Sequence, residues 1–229
     1  MPALHPAIDE APAPRLALVG SLGGPTSLLV ALLVGSLAGF AAFAHGVVGG
    51  GWLVDLDVDV ARWVVHSMPT SVEWLARPFT WVGGYVGTTI VVIPAMIWLV
   101  RRRQGGVALL LAVVAVGTQA LVVSAKHGYA RQRPDVGSAI PLPSSFSFPS
   151  GHAANGIAVF GLLGLIAATY GGSTHTRRAA ISAGFLVGAL VGWSRVVLNV
   201  HYVSDVLAGA CLGLAWLCVC LLVARLLAR

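Results

Sequence analysis

The sequence predicts an all-α, polytopic membrane protein, with six transmembrane helices in a bundle and a short helical segment on the extracytoplasmic side. The first observation is composition, because 57% of the 229 residues are apolar and only 10% are charged. Soluble domains carry about 25% charged residues. The second observation is a mean hydropathy of +0.87. The third is that the apolar residues form separate runs, each close to the ~20 residues that cross the hydrocarbon core as a helix.

Six such runs follow one another along the chain. They cover about residues 27–44, 82–100, 107–123, 153–170, 179–197 and 203–222. The first run ends with Ala42-Phe43-Ala44, the small-x-small pattern of a signal-peptide cleavage site, but the long acidic stretch before it favours an uncleaved span. Residues 1–25 are rich in Pro and Ala. We therefore expect a mobile cytoplasmic tail followed by one membrane domain, residues 26–229.

The placement of arginine predicts the orientation, because cytoplasmic segments carry an excess of Lys and Arg. With the N-terminus inside, those segments hold Arg15, Arg101, Arg102, Arg103, Arg177, Arg178, Arg225 and Arg229. We therefore expect a protein of the cytoplasmic membrane with both termini inside and its polar motif segments facing outward. The basic residues flank apolar runs instead of covering a polar surface, which argues against a nucleic-acid partner.

Residues 45–72 connect the first two spans and carry Asp55, Asp57 and Asp59 in alternation with apolar residues. Three carboxylates invite a metal-site interpretation, but no fourth ligand converges with them in the sequence. We therefore interpret this segment as a solvated acidic connection at the membrane surface. We expect neither a metal nor a cofactor.

Three short polar segments, far apart in the chain, carry the candidate chemistry. They are Lys126-x6-Arg133-Pro134, Pro149-Ser150-Gly151-His152 and Ser194-Arg195-x5-His201-x3-Asp205. Ionisable side chains are costly in such apolar surroundings, so a cluster of them indicates a functional site. Phosphoryl transfer needs cations around the phosphate oxygens, an in-line nucleophile and a proton for the leaving group. These segments offer all three without a metal.

The two histidines have separate candidate roles. His201 and Asp205 are four residues apart, so on one helix they share a face, and the carboxylate can orient the ring as a nucleophile. His152 is the candidate general acid for the leaving group. It would then act as the base that activates water.

The candidate phosphate ligands come from all three segments. Lys126 and Arg133 are seven residues apart and would share one face if that stretch is helical, in which case Pro134 would end the helix. Arg195 supplies a third cation if the chain turns near Asn199.

Ser150 and Gly151 stand where an apolar run begins, and a helix N-terminus there would bind phosphate through its free N–H groups. Gly151 allows close approach of the backbone, and Ser150 adds a hydroxyl donor. In a continuous helix Arg131 would point away from this face. We therefore expect Arg131 to be solvated or to bind a lipid headgroup.

The three segments match every fixed position, in order, of the pattern of the type 2 phosphatidic acid phosphatases, and about residues 73–222 resemble that superfamily. The resemblance implies a six-helix fold, an outward-facing site near the membrane surface, and the residue roles given above. It also implies a lipid phosphate or diphosphate substrate bound from the bilayer. Undecaprenyl diphosphate, a cell-envelope carrier, is the first expectation because the site faces outward, and phosphatidic acid and phosphatidylglycerol phosphate are the other candidates.

Two other functions are compatible with phosphate-binding residues of this kind. A phosphotransferase would pass phosphate from the histidine to a lipid or sugar acceptor instead of water. A transporter with a phosphate-binding vestibule would place polar residues deep within its spans. Residues 179–192 contain no ionisable side chain, which argues against the transporter.

Overall fold

The protein is described by a computed structural model covering residues 22–228, in which every regular element is a helix. In chain order they are α1 (Thr26–Gly49), α2 (Trp52–Ser67), α3 (Thr70–Gly83), α4 (Tyr85–Arg101), α5 (Gly105–Tyr129), α6 (Gly151–Ala168), α7 (Thr174–Val197) and α8 (Val203–Leu227). The middle of α6, Gly156–Phe160, is π-helical. The all-α class predicted from composition is confirmed.

The helices make this a multi-pass membrane protein. Five of them, α1, α5, α6, α7 and α8, are long and apolar enough to cross a membrane. Helices α3 and α4 form a sixth span if they are counted together, although they meet at a bend of 54°. The bend falls at Gly84, whose extended backbone separates the two helices. The sequence placed the second span at residues 82–100 and missed the helix that precedes it.

Helix α8 lies at the centre of the bundle, where it packs against α1, α5, α6 and α7. Its Leu217 and Leu221 join Leu111 and Leu162 in the main apolar core. Helices α6 and α7 approach closely, because a side chain at Gly156 would come within 2.8 Å of the carbonyl oxygen of α7 at Gly188. Small residues at helix interfaces permit such packing in membranes.

Residues 45–72 contain helix α2, and the solvated position predicted for its three aspartates is wrong for Asp57 alone. Asp57, Ala61 and Val64 are spaced by four and three residues, share one helical face, and are all buried. Trp63 lies on an exposed part of the same helix. The period of this segment is the 3.6 residues of a helix, which the alternation of apolar and acidic residues had concealed.

The end of the bundle that carries Arg225 is closed by polar contacts. Arg225 donates to the carbonyl oxygens of Leu22, at 2.7 Å, and Gly24. Tyr170 donates to the side chain of Gln104 at 2.7 Å. The mobile tail predicted for residues 1–25 lies outside the described residues except for its last four, of which Leu22 is buried in the main core.

Candidate active site

A cavity of about 210 Å³ lies at the other end of the bundle, among α4, α5, α6 and α7 and the segments that follow α5 and α7. Predicted site residues that line it are Lys126, Arg133, Gly151, His152, Arg195 and His201. Asp205 is fully buried next to His201. Among the described residues around the cavity, three are cationic and none is acidic. The cavity therefore suits an anion.

Lys126 and Arg133 reach the cavity from a helix and from a loop. Helix α5 ends at Tyr129, and Ala130 adopts a left-handed conformation with φ 48°. The condition for a shared helical face, a helix that continues to Pro134, is not met, because this left-handed residue turns the chain out of the helix. Arg133 therefore approaches the cavity from the irregular segment that follows α5.

The turn expected near Asn199 is present, and it brings Arg195 and His201 to the same cavity. Asn199 is left-handed, with φ 50°, and its side-chain amide donates to the carbonyl oxygen of Gly137 at 2.6 Å. The N–H groups of Val200 and His201 both donate to the carbonyl oxygen of Arg195. This turn reverses the chain between α7 and α8, so the two side chains no longer point to different helical faces.

Contacts on both sides of the His201 ring define its tautomer. Its Nε2 lies 3.1 Å from Nη1 of Arg133. A guanidinium group only donates hydrogen bonds, so Nε2 is an acceptor and carries no proton. On the other side, Nδ1 lies 3.4 Å from Oδ2 of Asp205 and 3.4 Å from the hydroxyl of Ser147. The proton therefore lies on Nδ1, and Nε2 offers a lone pair at the cavity.

Burial lowers the pKa of His201 to about 4, with Asp205 opposing the shift and Arg133 and Arg195 adding to it. The ring is thus neutral at neutral pH, which is the nucleophilic form. Burial also lowers the pKa of Arg133, against the attraction of Asp205. Arg133 nevertheless remains charged, because a guanidinium group is not deprotonated in proteins.

Two of the cations are held in place by backbone carbonyl groups. Lys126 Nζ donates to the carbonyl oxygen of Phe146. Arg133 donates through Nε to the carbonyl oxygen of Ser145 at 2.8 Å, and through Nη1 to that of Val200 at 2.6 Å. These bonds place both positive charges on the cavity wall without neutralising them.

Arg195 is the most deeply buried of the three cations, at 3% exposure. Its Nη1 donates to the hydroxyl of Thr80 on α3. Its Nε is buried and has no hydrogen-bond partner within residues 22–228. An unpaired buried donor costs about 1–3 kcal/mol. A phosphate oxygen in the cavity would provide the missing acceptor.

The start of α6 supplies another part of the cavity wall. His152 lines the cavity, and the carbonyl group of Thr80 faces its ring. Gly151 borders the cavity so tightly that a side chain there would meet Val122 at 3.2 Å. Ser150 is fully buried, and its Oγ accepts from the N–H of Ala153 at 3.5 Å. Ser150 thus caps the helix through its oxygen, which leaves the hydroxyl hydrogen free to donate, and the phosphate-binding role expected for it stays a prediction.

Arg131 is buried, contrary to the solvated position expected for it. Its Nη1 donates to Oδ1 of Asp205 at 2.6 Å, and its Nη2 donates to Oδ2 of Asp57 at 2.8 Å. Burial opposes the charge on Arg131, but the two carboxylates raise its pKa. The sequence did contain a signal: Asp57 shares a helical face with Ala61 and Val64. A carboxylate on a buried face requires a partner.

Ser147 is a second residue that sequence reasoning missed. Its hydroxyl donates to Oδ2 of Asp205, which also accepts from the N–H of Tyr202 at 2.9 Å. No pattern in the sequence distinguishes Ser147 from other serines in the segment between α5 and α6. Ser147 contacts Asp205 only because the segment between α5 and α6 folds back against the start of α8.

The metal-site interpretation of the three aspartates on α2 is not supported. Asp57 pairs with Arg131, and Asp59 lies 3.7 Å from Arg62 on the exposed surface of the same helix. In the part of the chain that the structure describes, no three His, Cys, Asp or Glu side chains are grouped so that they could hold a metal ion.

Comparison with known proteins gives the following matches. The family model described as the PAP2 superfamily matches residues 106–228. Phosphatidylglycerophosphatase B of Bacillus subtilis is 38% identical over 128 residues, which cover 55% of this chain and 61% of that protein. Decaprenylphosphoryl-5-phosphoribose phosphatase of Mycobacterium tuberculosis is 31% identical over 131 residues, 56% of this chain and 66% of that protein. The matched region thus spans less than two thirds of either relative.

The fold is also similar to a solved structure. The crystal structure of a transmembrane PAP2-type phosphatidylglycerolphosphate phosphatase from Bacillus subtilis has a TM-score of 0.72 and 25% sequence identity. The similarity covers 84% of this chain and 93% of that one. The family match contains all three motif segments, whereas α1, α2, α3 and α4 precede it.

Proposed function

Because this chain belongs to the PAP2 superfamily, we propose that it is an integral membrane phosphatase that hydrolyses a lipid phosphate or diphosphate. One observation carries the proposal: in a multi-pass membrane protein, three cations and two histidines surround the same cavity. The two relatives named above are phosphatases of lipid-linked phosphates by name.

In the proposed reaction, Nε2 of His201 attacks phosphorus, and the bond from phosphorus to the lipid oxygen breaks. His152 gives a proton to that departing oxygen. Water then attacks the phosphohistidine while His152 takes a proton from it, so phosphate leaves and both rings return to their starting state. Throughout, Asp205 stabilises the positive charge that develops on the His201 ring.

The three cations act on the phosphate oxygens in both steps. Lys126, Arg133 and Arg195 surround the cavity from three different parts of the chain. The transition state of phosphoryl transfer spreads its charge over the equatorial oxygens, so fixed cations stabilise it in a site that excludes water. Gly151 adds the N-terminal end of α6, where backbone N–H groups favour an anion.

A second cavity supports a lipid substrate. It has a volume of about 780 Å³, lies between α4 and α5, and is lined mainly by apolar side chains such as Val92 and Met96. Gln119 and Asn155 line both this apolar cavity and the catalytic one. A lipid whose phosphate lies among the cations can therefore place its tail between the two helices at the depth of the hydrocarbon core.

The proposed orientation puts the catalytic cavity on the extracytoplasmic side of the cytoplasmic membrane and both termini inside. The end of the bundle away from the cavity carries Arg225, and Arg177 lies near Leu22 at that same end. Such a gathering of arginine is typical of the cytoplasmic side. Residues 26–229 would then act as one membrane domain, and undecaprenyl diphosphate would be accessible to its outer face.

The test is phosphate release by the detergent-purified protein with EDTA present. The substrates are undecaprenyl diphosphate, undecaprenyl phosphate, phosphatidic acid and phosphatidylglycerol phosphate. His201→Ala should abolish release. His127→Ala is the matched control, because that histidine is exposed and its one hydrogen bond within residues 22–228 joins it to the carbonyl oxygen of Val123 on its own helix. Release that survives His201→Ala, or that EDTA removes, would contradict the proposed mechanism.

The phosphotransferase is the alternative outcome of the same experiment. If folded protein releases no phosphate from any substrate, yet becomes labelled on His201, the phosphohistidine forms and lacks an acceptor. Adding candidate lipid or sugar acceptors would then show transfer.

A further inference from the structure

The nucleophile's partner, Asp205, is held by a chain of buried polar contacts that extends beyond the three motif segments. Its Oδ1 accepts from Nη1 of Arg131 at 2.6 Å. Its Oδ2 accepts from the hydroxyl of Ser147 and the N–H of Tyr202, and it faces Nδ1 of His201. Of these partners His201 lines the phosphate cavity, whereas Arg131, Ser147 and Tyr202 do not.

Arg131 itself is fixed by the fork of its guanidinium group. One nitrogen contacts Asp205, and the other contacts Oδ2 of Asp57 at 2.8 Å. The plane of the group also lies over the ring of Tyr202, with Cζ 4.2 Å from the ring centroid. A guanidinium group with carboxylates on two of its nitrogens cannot rotate without breaking one of these charge-assisted bonds.

Asp57 completes the chain from α2. It is 1% exposed, and its carboxylate accepts from the N–H of Ser204 at 3.0 Å as well as from the hydroxyl of that residue. Ser204 immediately precedes Asp205 at the start of α8. Asp57 thus binds both the arginine that holds Asp205 and the backbone of the turn that carries it.

Net stability does not by itself account for these buried charges. A buried ion pair contributes little net stability, because the loss of hydration offsets the attraction. Here two carboxylates and one cation are buried together, and their contacts connect Asp57 to Asp205 through Arg131 and Ser204. The arrangement is better suited to holding one carboxylate at one angle.

We propose that Asp57 and Arg131 are positioning residues, which act through Asp205 to hold the His201 ring with its proton on Nδ1 and its Nε2 lone pair at the phosphate. The proposal deepens the phosphatase function proposed above and rests on it for its kinetic consequences. Neither residue lines the phosphate cavity, so neither is expected to bind substrate.

The test uses Asp57→Asn, which keeps the size of the side chain and removes its charge. We expect kcat to fall by ~10- to 100-fold, which is the loss seen when a hydrogen-bond partner that orients a metal-ligating side chain is removed. The inhibition constant of inorganic phosphate should stay within about 2-fold, since Lys126, Arg133 and Arg195 are untouched. Asp59→Asn is the control, because Asp59 lies on the same helix and is exposed.

A second variant tests the coupling. Arg131→Gln should lower kcat in the same way, and the double variant Asp57→Asn with Arg131→Gln should lose no more than the worse single variant. Losses that multiply would show that the two residues act independently and would overturn the proposal.

A readout without turnover separates this inference from the phosphatase proposal. The ¹⁵N chemical shifts of the His201 ring at neutral pH report its tautomer, and we expect the Nδ1–H form in the wild type and Asp59→Asn. Asp57→Asn should give a mixture of both tautomers. An unchanged tautomer together with unchanged kcat would overturn the proposal.

If Asp57→Asn does not fold, as judged by its thermal unfolding and loss of phosphate binding, Arg131→Lys takes its place. The ammonium group keeps the buried charge but cannot fork between two carboxylates. A mixed tautomer in that variant would support the proposal, and an unchanged one would overturn it. If the wild type shows the Nδ1–H form but hydrolyses no lipid, only the phosphatase proposal fails.

Discussion

Nε2 of His201 lies 3.1 Å from Nη1 of Arg133, so the candidate nucleophile and one of its phosphate ligands are in direct contact. A phosphate oxygen is a charged acceptor and binds a guanidinium group more strongly than a neutral ring nitrogen does. We expect an incoming phosphate to draw Arg133 from the ring, which frees the lone pair for attack. Binding and activation of the nucleophile would then depend on the same side chain.

The role of His152 can be separated from binding by the choice of leaving group. His152→Ala should slow hydrolysis of a lipid alkyl phosphate by ~10²- to 10⁴-fold, because the departing alkoxide then lacks a proton donor. With p-nitrophenyl phosphate, whose leaving group needs no proton, the variant should still give a burst of p-nitrophenolate. Burst kinetics measure this directly. An equal loss of the first step on both substrates would contradict the assignment.

Arg195 is expected to bind phosphate through the Nε that has no protein partner in the described structure. Arg195→Lys keeps the charge and loses that donor, so the inhibition constant of inorganic phosphate should rise by ~10- to 100-fold, as for a lost charge-assisted bond. Arg62→Lys, on the exposed face of α2, is the control. Phosphate binding that is equally tight in both variants would rule out this contact.

The depressed pKa of His201 predicts how stability changes with pH. The folded-state pKa is about 4, below the unfolded value of about 6.5, so the unfolded chain binds more protons between these values. The contribution of His201 to the free energy of unfolding should therefore rise with pH across this window, by ~3 kcal/mol, and stay constant above it. Unfolding of the wild type and His201→Gln in detergent, from pH 4 to 7, measures the difference. Parallel curves would show that the ring titrates normally.

The apolar cavity between α4 and α5 predicts a substitution that affects lipids and spares soluble substrates. Ala120 lines this cavity, and Ala120→Trp should fill the space next to the catalytic site. The KM for a long-chain lipid phosphate should rise by ~10-fold, equal to a loss of ~1.4 kcal/mol in binding. The KM for p-nitrophenyl phosphate, which has no lipid tail, should not change.

Leu109→Trp is the control for this prediction, because Leu109 is exposed on α5 away from the cavity. Equal effects of the two tryptophans on the lipid, or an effect of Ala120→Trp on the soluble substrate, would show that the tail does not lie there.

Much of the fold was predictable because hydropathy acts locally. The runs that became α1, α5, α6, α7 and α8 were each found within a few residues of their observed ends. The exceptions were α2 and α3, which lie in a segment of mixed polarity where helix and connection have similar composition. The bend at Gly84 was not predicted either, since one glycine in an apolar run does not specify an angle.

The candidate site was predictable in its members and less so in its geometry. The turn at Asn199 could be inferred, because Arg195 and His201 would otherwise point to different sides of one helix. The approach of Arg133 from a loop could not be inferred, because its spacing from Lys126 is also compatible with both residues on one face of a helix. The assignment of Ser150 to phosphate stays a prediction, because its oxygen caps α6 as an acceptor and its hydrogen can still be donated.

The sequence by itself determined the helical class, the membrane setting and most residues of the candidate site, because each depends on composition or on short spacing within one segment. Only the tertiary structure decided what holds the candidate nucleophile in place. Arg131 is 74 residues from Asp57 in one direction and 74 from Asp205 in the other. No local pattern specifies contacts at such separations, since they arise when α2 and α8 pack at the same end of the bundle and bury the charges between them.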